Sequence, residues 1–177
     1  MIRHLTLFSL IFVGLFHCLF AQEKQVNIAV LDLEGETLTQ EERTALTNKL
    51  ILELSKTERY NIIERARIKD VLKEQGFQQA VCSDQSCLVQ MGQLLGVEQL
   101  VTGSIVKFGN LYSLYVKIMN VATGEIVKNV NLELTVSIEE VLTQGIKQAV
   151  GQLVKSKEES KKTETSTIQQ LQKGLKT

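Results

Sequence analysis

Cys82 and Cys87 have more chemistry open to them than any other side chains in this sequence: two thiols in the stretch Cys82-Ser83-Asp84-Gln85-Ser86-Cys87. On one continuous helix, five residues would turn the two sulfurs about 140° apart and keep them from bonding. A disulfide therefore requires Cys82 in a loop that folds back at Ser83-Asp84, with Cys87 in the first turn of the next helix and Ser83 or Ser86 as its cap. Closing so short a loop is worth ~2 kcal/mol in the chain-entropy account and would pin the helix start. Free core-facing thiols are one alternative, and redox or metal use is another. A redox pair would more naturally have two residues between its cysteines, and a zinc site needs further ligands.

The compartment decides among these readings, and the amino terminus speaks to it. Arg3 and His4 precede an uncharged, mainly apolar run from Leu5 to Leu15, and the chain turns polar at Gln22-Glu23-Lys24. That pattern predicts a secretory signal peptide over residues 1–21, cut between Ala21 and Gln22, because a membrane anchor needs ~20 apolar residues. The residue three before the cut is the bulky Leu19, so the small-x-small rule is half met. Cys18 offers a rival, the lipidated first residue of a lipoprotein. Leu15-Phe16-His17 supplies the leucine of such a signal but not its small residues. An exported chain with Cys82 and Cys87 as its two remaining cysteines favours a structural disulfide.

Removing residues 1–21 takes Arg3 with it and leaves 19 basic against 20 acidic side chains. Such a balance gives no electrostatic footprint for nucleic acid or anionic lipid. Both histidines, His4 and His17, go with the leader. Without imidazole no Ser-His or Cys-His nucleophile pair and no histidine metal site can be built. Asp32 and Glu34 could share a cation, but no third and fourth ligand lies near them in sequence, and solvated carboxylates at a strand end are the simpler reading. Gly92-x-x-x-Gly96 is a helix pattern and not a phosphate loop. The expectation is a protein with no catalytic residues, no metal and no cofactor.

The rest of the chain supplies scaffold. Val26 to Leu33 reads as a strand buried on both faces. Thr39 with Glu42 forms a capping box for a helix to about Lys56, with Leu46, Leu50, Ile51 and Leu54 on one stripe. Tyr60 to Glu64 is a short strand, and Arg67 to Gln75 a helix stopped by Gly76. Leu88, Met91, Leu94 and Leu95 mark the helix after the cysteines, ended by Gly96. From Gln99 the period becomes two, and three strands joined at Gly109-Asn110 and Thr123-Gly124 form an antiparallel meander with one buried face. Ser137 and Glu140 cap a last helix that closes the core. Residues 22–155 thus form one α/β (α+β) domain ordered strand-helix-strand-helix-helix-strand-strand-strand-helix, and residues 156–177 a polar tail of disordered composition.

The segments Asn27-Ile-Ala-Val-Leu-Asp-Leu-Glu-Gly35, Tyr60-Asn-Ile-Ile-Glu-Arg65, Val71-Leu-Lys-Glu-Gln-Gly-Phe77, Gly92-Gln-Leu-Leu-Gly-Val97 and Leu100-Val-Thr-Gly-Ser104 resemble the CsgG-like family. The resemblance spans about Val26 to Val154. That family contains the curli secretion component, and its fold is similar to the TolB amino-terminal domain and to lipoprotein activators of penicillin-binding proteins. It implies a cell-envelope protein, either a periplasmic binding or scaffolding module or a component of an outer-membrane assembly and transport complex. The secretion component spans the membrane with long hairpins, whereas the turns here leave no length for strands of ~9–11 further residues. The expected partners are envelope proteins or further copies of the chain, with no nucleic acid and no membrane span after signal removal. Tyr115 and Lys117, facing outward in the meander, and Phe108 beside its turn are the candidate partner contacts.

Overall fold

The apolar run that opens the folded region becomes an inner strand of a sheet. Val26–Val30 forms β1, and Ile28, Ala29 and Val30 are buried. In the computed structural model the described residues are 25–76 and 84–155. The leader with its Ala21–Gln22 cut, Cys18, Cys82, Ser83 and the tail 156–177 lie outside them. β2 (Tyr60–Ile62), β3 (Gln99–Phe108), β4 (Leu111–Asn120) and β5 (Ile126–Thr135) complete a sheet in the order β2-β1-β3-β4-β5. β1 is parallel to both neighbours, and β3-β4-β5 is the antiparallel meander.

Pairing with β2 ends at Ile28 and the ladder with β3 at Val30, three residues before the apolar run does, with a single bridge from Glu34 to Ser104 beyond. Leu31 still donates to the Val101 carbonyl, but the Leu33 N–H turns to the Oγ1 of buried Thr47, 3.0 Å away on α1 (Gln40–Ser55). A side-chain acceptor thus takes the place of a ladder partner. α1 opens with the expected box, Thr39 accepting from the Glu42 N–H and Glu42 accepting from the Thr39 N–H. Its apolar stripe buries Leu46, Leu50 and Leu54, with Ile51 half-buried.

Helices cover the sheet on both sides. On one, α1 and the carboxy-terminal α4 (residues 138–154) pack over Val30, Val101, Ile105, Leu114, Val116 and Val130. On the other, α2 (Arg65–Glu74) and α3 (Gln85–Leu95) bury Ile68, Leu72, Leu88 and Met91 against Ala29, Leu31, Leu100, Met119 and Val121. The meander therefore has two buried faces where Leu100 and Met119 lie, against the single one expected. Gly92 makes the second layer possible: a Cβ there would sit 2.4 Å from Val121 Cγ2, so only glycine lets α3 approach this closely.

Further differences from expectation have local causes. α2 begins at Arg65. α3 is capped by Asp84 and not by a serine: its Oδ1 accepts the Cys87 N–H at 2.9 Å, and the Ser86 hydroxyl donates to the same oxygen at 2.6 Å. Leu94 is 39 % exposed, because the sheet side of α3 is already filled by Met91 and Leu95. Gly76 and Gly96 follow their helices in the left-handed region as expected. α4 starts with the Ser137–Glu140 box but is not uniform: an α-turn Ile138–Glu140 leads into a π-helical Val141–Gly145 and then α-helical Ile146–Val154. The wider turn admits one extra residue. It shifts the inward stripe so that Val141 and Gly145 in one phase and Ile146, Val150 and Leu153 in the next are all buried.

Candidate functional site

In β4 the side chains of Tyr112, Leu114, Val116 and Ile118 enter the core under α1 and α4. The strand alternates, so Ser113, Tyr115 and Lys117 stand on the opposite face. Register aligns this face in rows: Thr102, Lys117 and Asn129; Ser104, Tyr115 and Asn131; Val106, Ser113 and Glu133; Phe108, Leu111 and Thr135. The apolar cluster made by α2 and α3 stops at Leu31, Leu100 and Met119, one row short of Lys117. Exposure accordingly rises toward the β3–β4 turn: Thr102 is buried, Ser104 and Tyr115 are half-buried, Val106 is 52 % exposed and Phe108 83 %.

Tyr115 and Lys117 are thus neighbours on one strand face, and Tyr115 belongs to neither core cluster. Phe108 shares the face but lies at its far end, about 14 Å along the strand from the Tyr115 row. It joins Val106 and Leu111 there in an apolar corner. The result is a mixed surface of one phenol, one ammonium, one carboxylate, hydroxyls and side-chain amides, rimmed by exposed aliphatic and aromatic groups. Surfaces of this kind suit protein contact, where aromatic residues anchor and short polar groups hydrogen-bond.

Two depressions lie elsewhere. One of about 470 Å³ at the carboxyl end of β1 is lined by Asp32, Leu33, Glu34, Gly35, Glu36, Gln40 and Arg43. Its charges are partly occupied: Arg43 donates to the carbonyls of Gly35 and Leu38 and to Gln40 Oε1. Asp32 carries the guanidinium of Arg65, which also donates to Asn48 Oδ1 at 2.6 Å. Asp32 is thus matched by a cationic side chain of the protein itself. Among the described residues no three His, Cys, Asp or Glu side chains are grouped to hold a metal. The other depression, about 480 Å³, lies beside Lys107, Asn110, Tyr112 and Ser137, where the Lys107 ammonium sits 5.4 Å from the centre of the Tyr112 ring.

Sequence reasoning named Phe108, Tyr115 and Lys117 as candidate contacts and missed Arg65, whose role needs β1, α1 and α2 assembled. An arginine immediately after a short strand and opening a helix was the available signal. Of the cysteine pair, Cys87 lies in the first turn of α3, where it was expected.

The family described as curli production assembly/transport component CsgG matches residues 20–114. No curated protein matches the chain in sequence. Among solved structures, lipoprotein GNA1162 from Neisseria meningitidis superimposes with a TM-score of 0.56 at 14 % identity, covering 75 % of this chain and 99 % of that one. The LpoB carboxy-terminal domain from Escherichia coli gives 0.54 at 16 % identity over 64 % and 85 %. That from Salmonella enterica gives 0.53 at 17 % over 67 % and 90 %. At these identities the likeness is one of fold. Among the described residues no helix is long and apolar enough to cross a membrane.

Proposed function

Since the chain belongs to the curli production assembly/transport component family, we propose that it is a non-enzymatic periplasmic binding or scaffolding protein of the bacterial cell envelope. It docks an envelope protein on the open face of its meander. The observation that carries this reading is the adjacency of Tyr115 and Lys117 on a sheet face that α2 and α3 leave uncovered. Tyr115 is the anchor, Lys117 supplies the charge that orients the partner, and the Phe108 corner extends the contact. The absence of histidine after His17 supports binding over catalysis.

Export through a leader cut at Ala21–Gln22 and a Cys82–Cys87 disulfide belong to the same proposal. The disulfide-bonded state of Cys87 supports the pairing. With Asp84 as the cap, the bond would fix the start of α3 twice over, covalently and through the Cys87 N–H. Family membership favours a second reading, a subunit of an outer-membrane assembly or transport complex, in which the same face contacts the other subunits.

The test is affinity capture from envelope extract with the purified protein, the captured protein being identified by mass spectrometry and its affinity then measured. Tyr115→Ala and Lys117→Glu should each weaken that complex about tenfold or more while leaving the melting temperature unchanged. Full binding by both variants would remove the open face from the account.

A further inference from the structure

We propose that two copies of this chain pair edge to edge through β5, antiparallel about a two-fold axis at Leu132. Among the described residues β5 has a neighbour on one side only, β4. Which of its peptide groups are spent on that neighbour follows from the first hairpin. Gly109-Asn110 is a two-residue loop, and Gly109 takes a φ of +59°, as the first central residue of a type II′ turn requires. Such a loop makes Phe108 and Leu111 a hydrogen-bonded pair, and the antiparallel ladder then alternates. In β4, Leu111, Ser113, Tyr115 and Lys117 therefore bond to β3, whereas Tyr112, Leu114, Val116 and Ile118 turn to β5.

Their partners in β5 are Leu134, Leu132, Val130 and Lys128. The peptide groups of Asn129, Asn131, Glu133 and Thr135 consequently point away from the sheet, and no hydrogen bond reaches them among the described residues. Native edges are usually blunted by proline, charge or a bulge. Here the irregularity is confined to the beginning of the strand, opposite Ile118 and Met119; no proline is present, and Glu133 is the one charged residue of the outward four.

The strand is complementary to itself in one register. With Leu132 opposite its own copy, Val130 meets Leu134 of the second copy, Asn131 meets Glu133 and Asn129 meets Thr135. Apolar side chains then oppose apolar ones on the helix-covered face, and polar oppose polar on the other. Val130 and Leu132 are already buried and Leu134 is half-buried, so pairing would carry the first core across both copies. A shift of two residues one way would set Glu133 against itself, which is unfavourable. A shift the other way would run a pair into the irregular start of β5. An extended peptide from another protein would use the same backbone row, but the self-matching order of side chains favours a second copy.

The experiment is sedimentation equilibrium of the purified full-length protein over a range of concentrations. A monomer–dimer equilibrium is expected, with Asn131→Pro weakening it about tenfold or more, since that N–H faces outward and its loss breaks no bond to β4. Should Asn131→Pro disturb the fold, register is read instead by oxidation: Asn131→Cys mixed with Glu133→Cys should form a disulfide-linked dimer, and neither variant alone should. A protein that is monomeric throughout, a folded Asn131→Pro that dimerises as the parent does, or cross-linking of either cysteine variant with itself and no mixed dimer of the two would overturn the proposal.

Discussion

The guanidinium of Arg65, at the first residue of α2, rests on the carboxylate of Asp32, just beyond β1, and reaches on to Asn48 of α1. One side chain therefore ties the carboxyl end of β1 to helices on both sides of the sheet. Arg65 and Asp32 are less than a third exposed, so the pair is worth more than a surface contact. Arg65→Ala should destabilise the fold by ~1–2 kcal/mol, read by urea unfolding. Arg65→Lys should recover little of the loss, because an ammonium cannot span both acceptors as the fork does.

Two helical glycines should respond to alanine with opposite signs. At Gly92 the new methyl meets Val121 Cγ2 at 2.4 Å, and overpacking of this kind costs ~1–3 kcal/mol. At Gly151 nothing lies within 4 Å of the Cβ, and the exchange should gain ~0.5–1 kcal/mol from helix propensity. Adding Val121→Ala to Gly92→Ala should restore part of the loss. Thermal unfolding of the three variants beside the parent protein checks the pattern, and an unchanged Gly92→Ala would contradict the tight α3–sheet contact.

Glu53 ties stability to acid. Hydrogen bonds from Lys56 first and Lys49 second hold its carboxyl below the ordinary 4.5. A folded-state value below the unfolded one adds stability at pH values above the unfolded value, and that gain is lost as pH falls through the folded value. Glu53→Gln should therefore cost ~0.3–1 kcal/mol at neutral pH, a modest sum because both lysines are partly solvated. The gap between the two proteins should close in acid, as measured by urea midpoints from pH 7 to pH 3.

The Thr39 cap is a separable local term. Thr39→Ala removes the acceptor of the Glu42 N–H and should cost ~1 kcal/mol, again by urea unfolding. The same loss for a Thr39→Ser variant would argue against the hydroxyl as the cause.

Most of the architecture was legible in the sequence because it is local. The capping boxes at Thr39 and Ser137, the glycines after α2 and α3, and the period-two runs of the meander each announce an element through its own residues. What was hidden depends on partners distant in sequence. Val26 to Leu33 is apolar but for Asn27 and Asp32, and nothing in it foretells that Thr47 claims the Leu33 N–H and interrupts the ladder. The glycine that ends the π-helical turn in α4 answers Leu134, whose Cδ1 would lie 2.7 Å from a Cβ at Gly145. The candidate contacts divide the same way. Alternation sets Tyr115 and Lys117 on one face, but only the extent of the α2–α3 layer decides that the face stays open, and only the register shows Phe108 a hairpin's length away.

The most direct test of the open-face account is site-specific photo-crosslinking in cells. A photoreactive residue replacing Tyr115 should trap a defined envelope protein, whereas the same residue replacing Gln148, exposed on α4, should not. Equal adducts from both positions, or adducts from Gln148 alone, would contradict the claim that this protein binds through the uncovered side of its sheet.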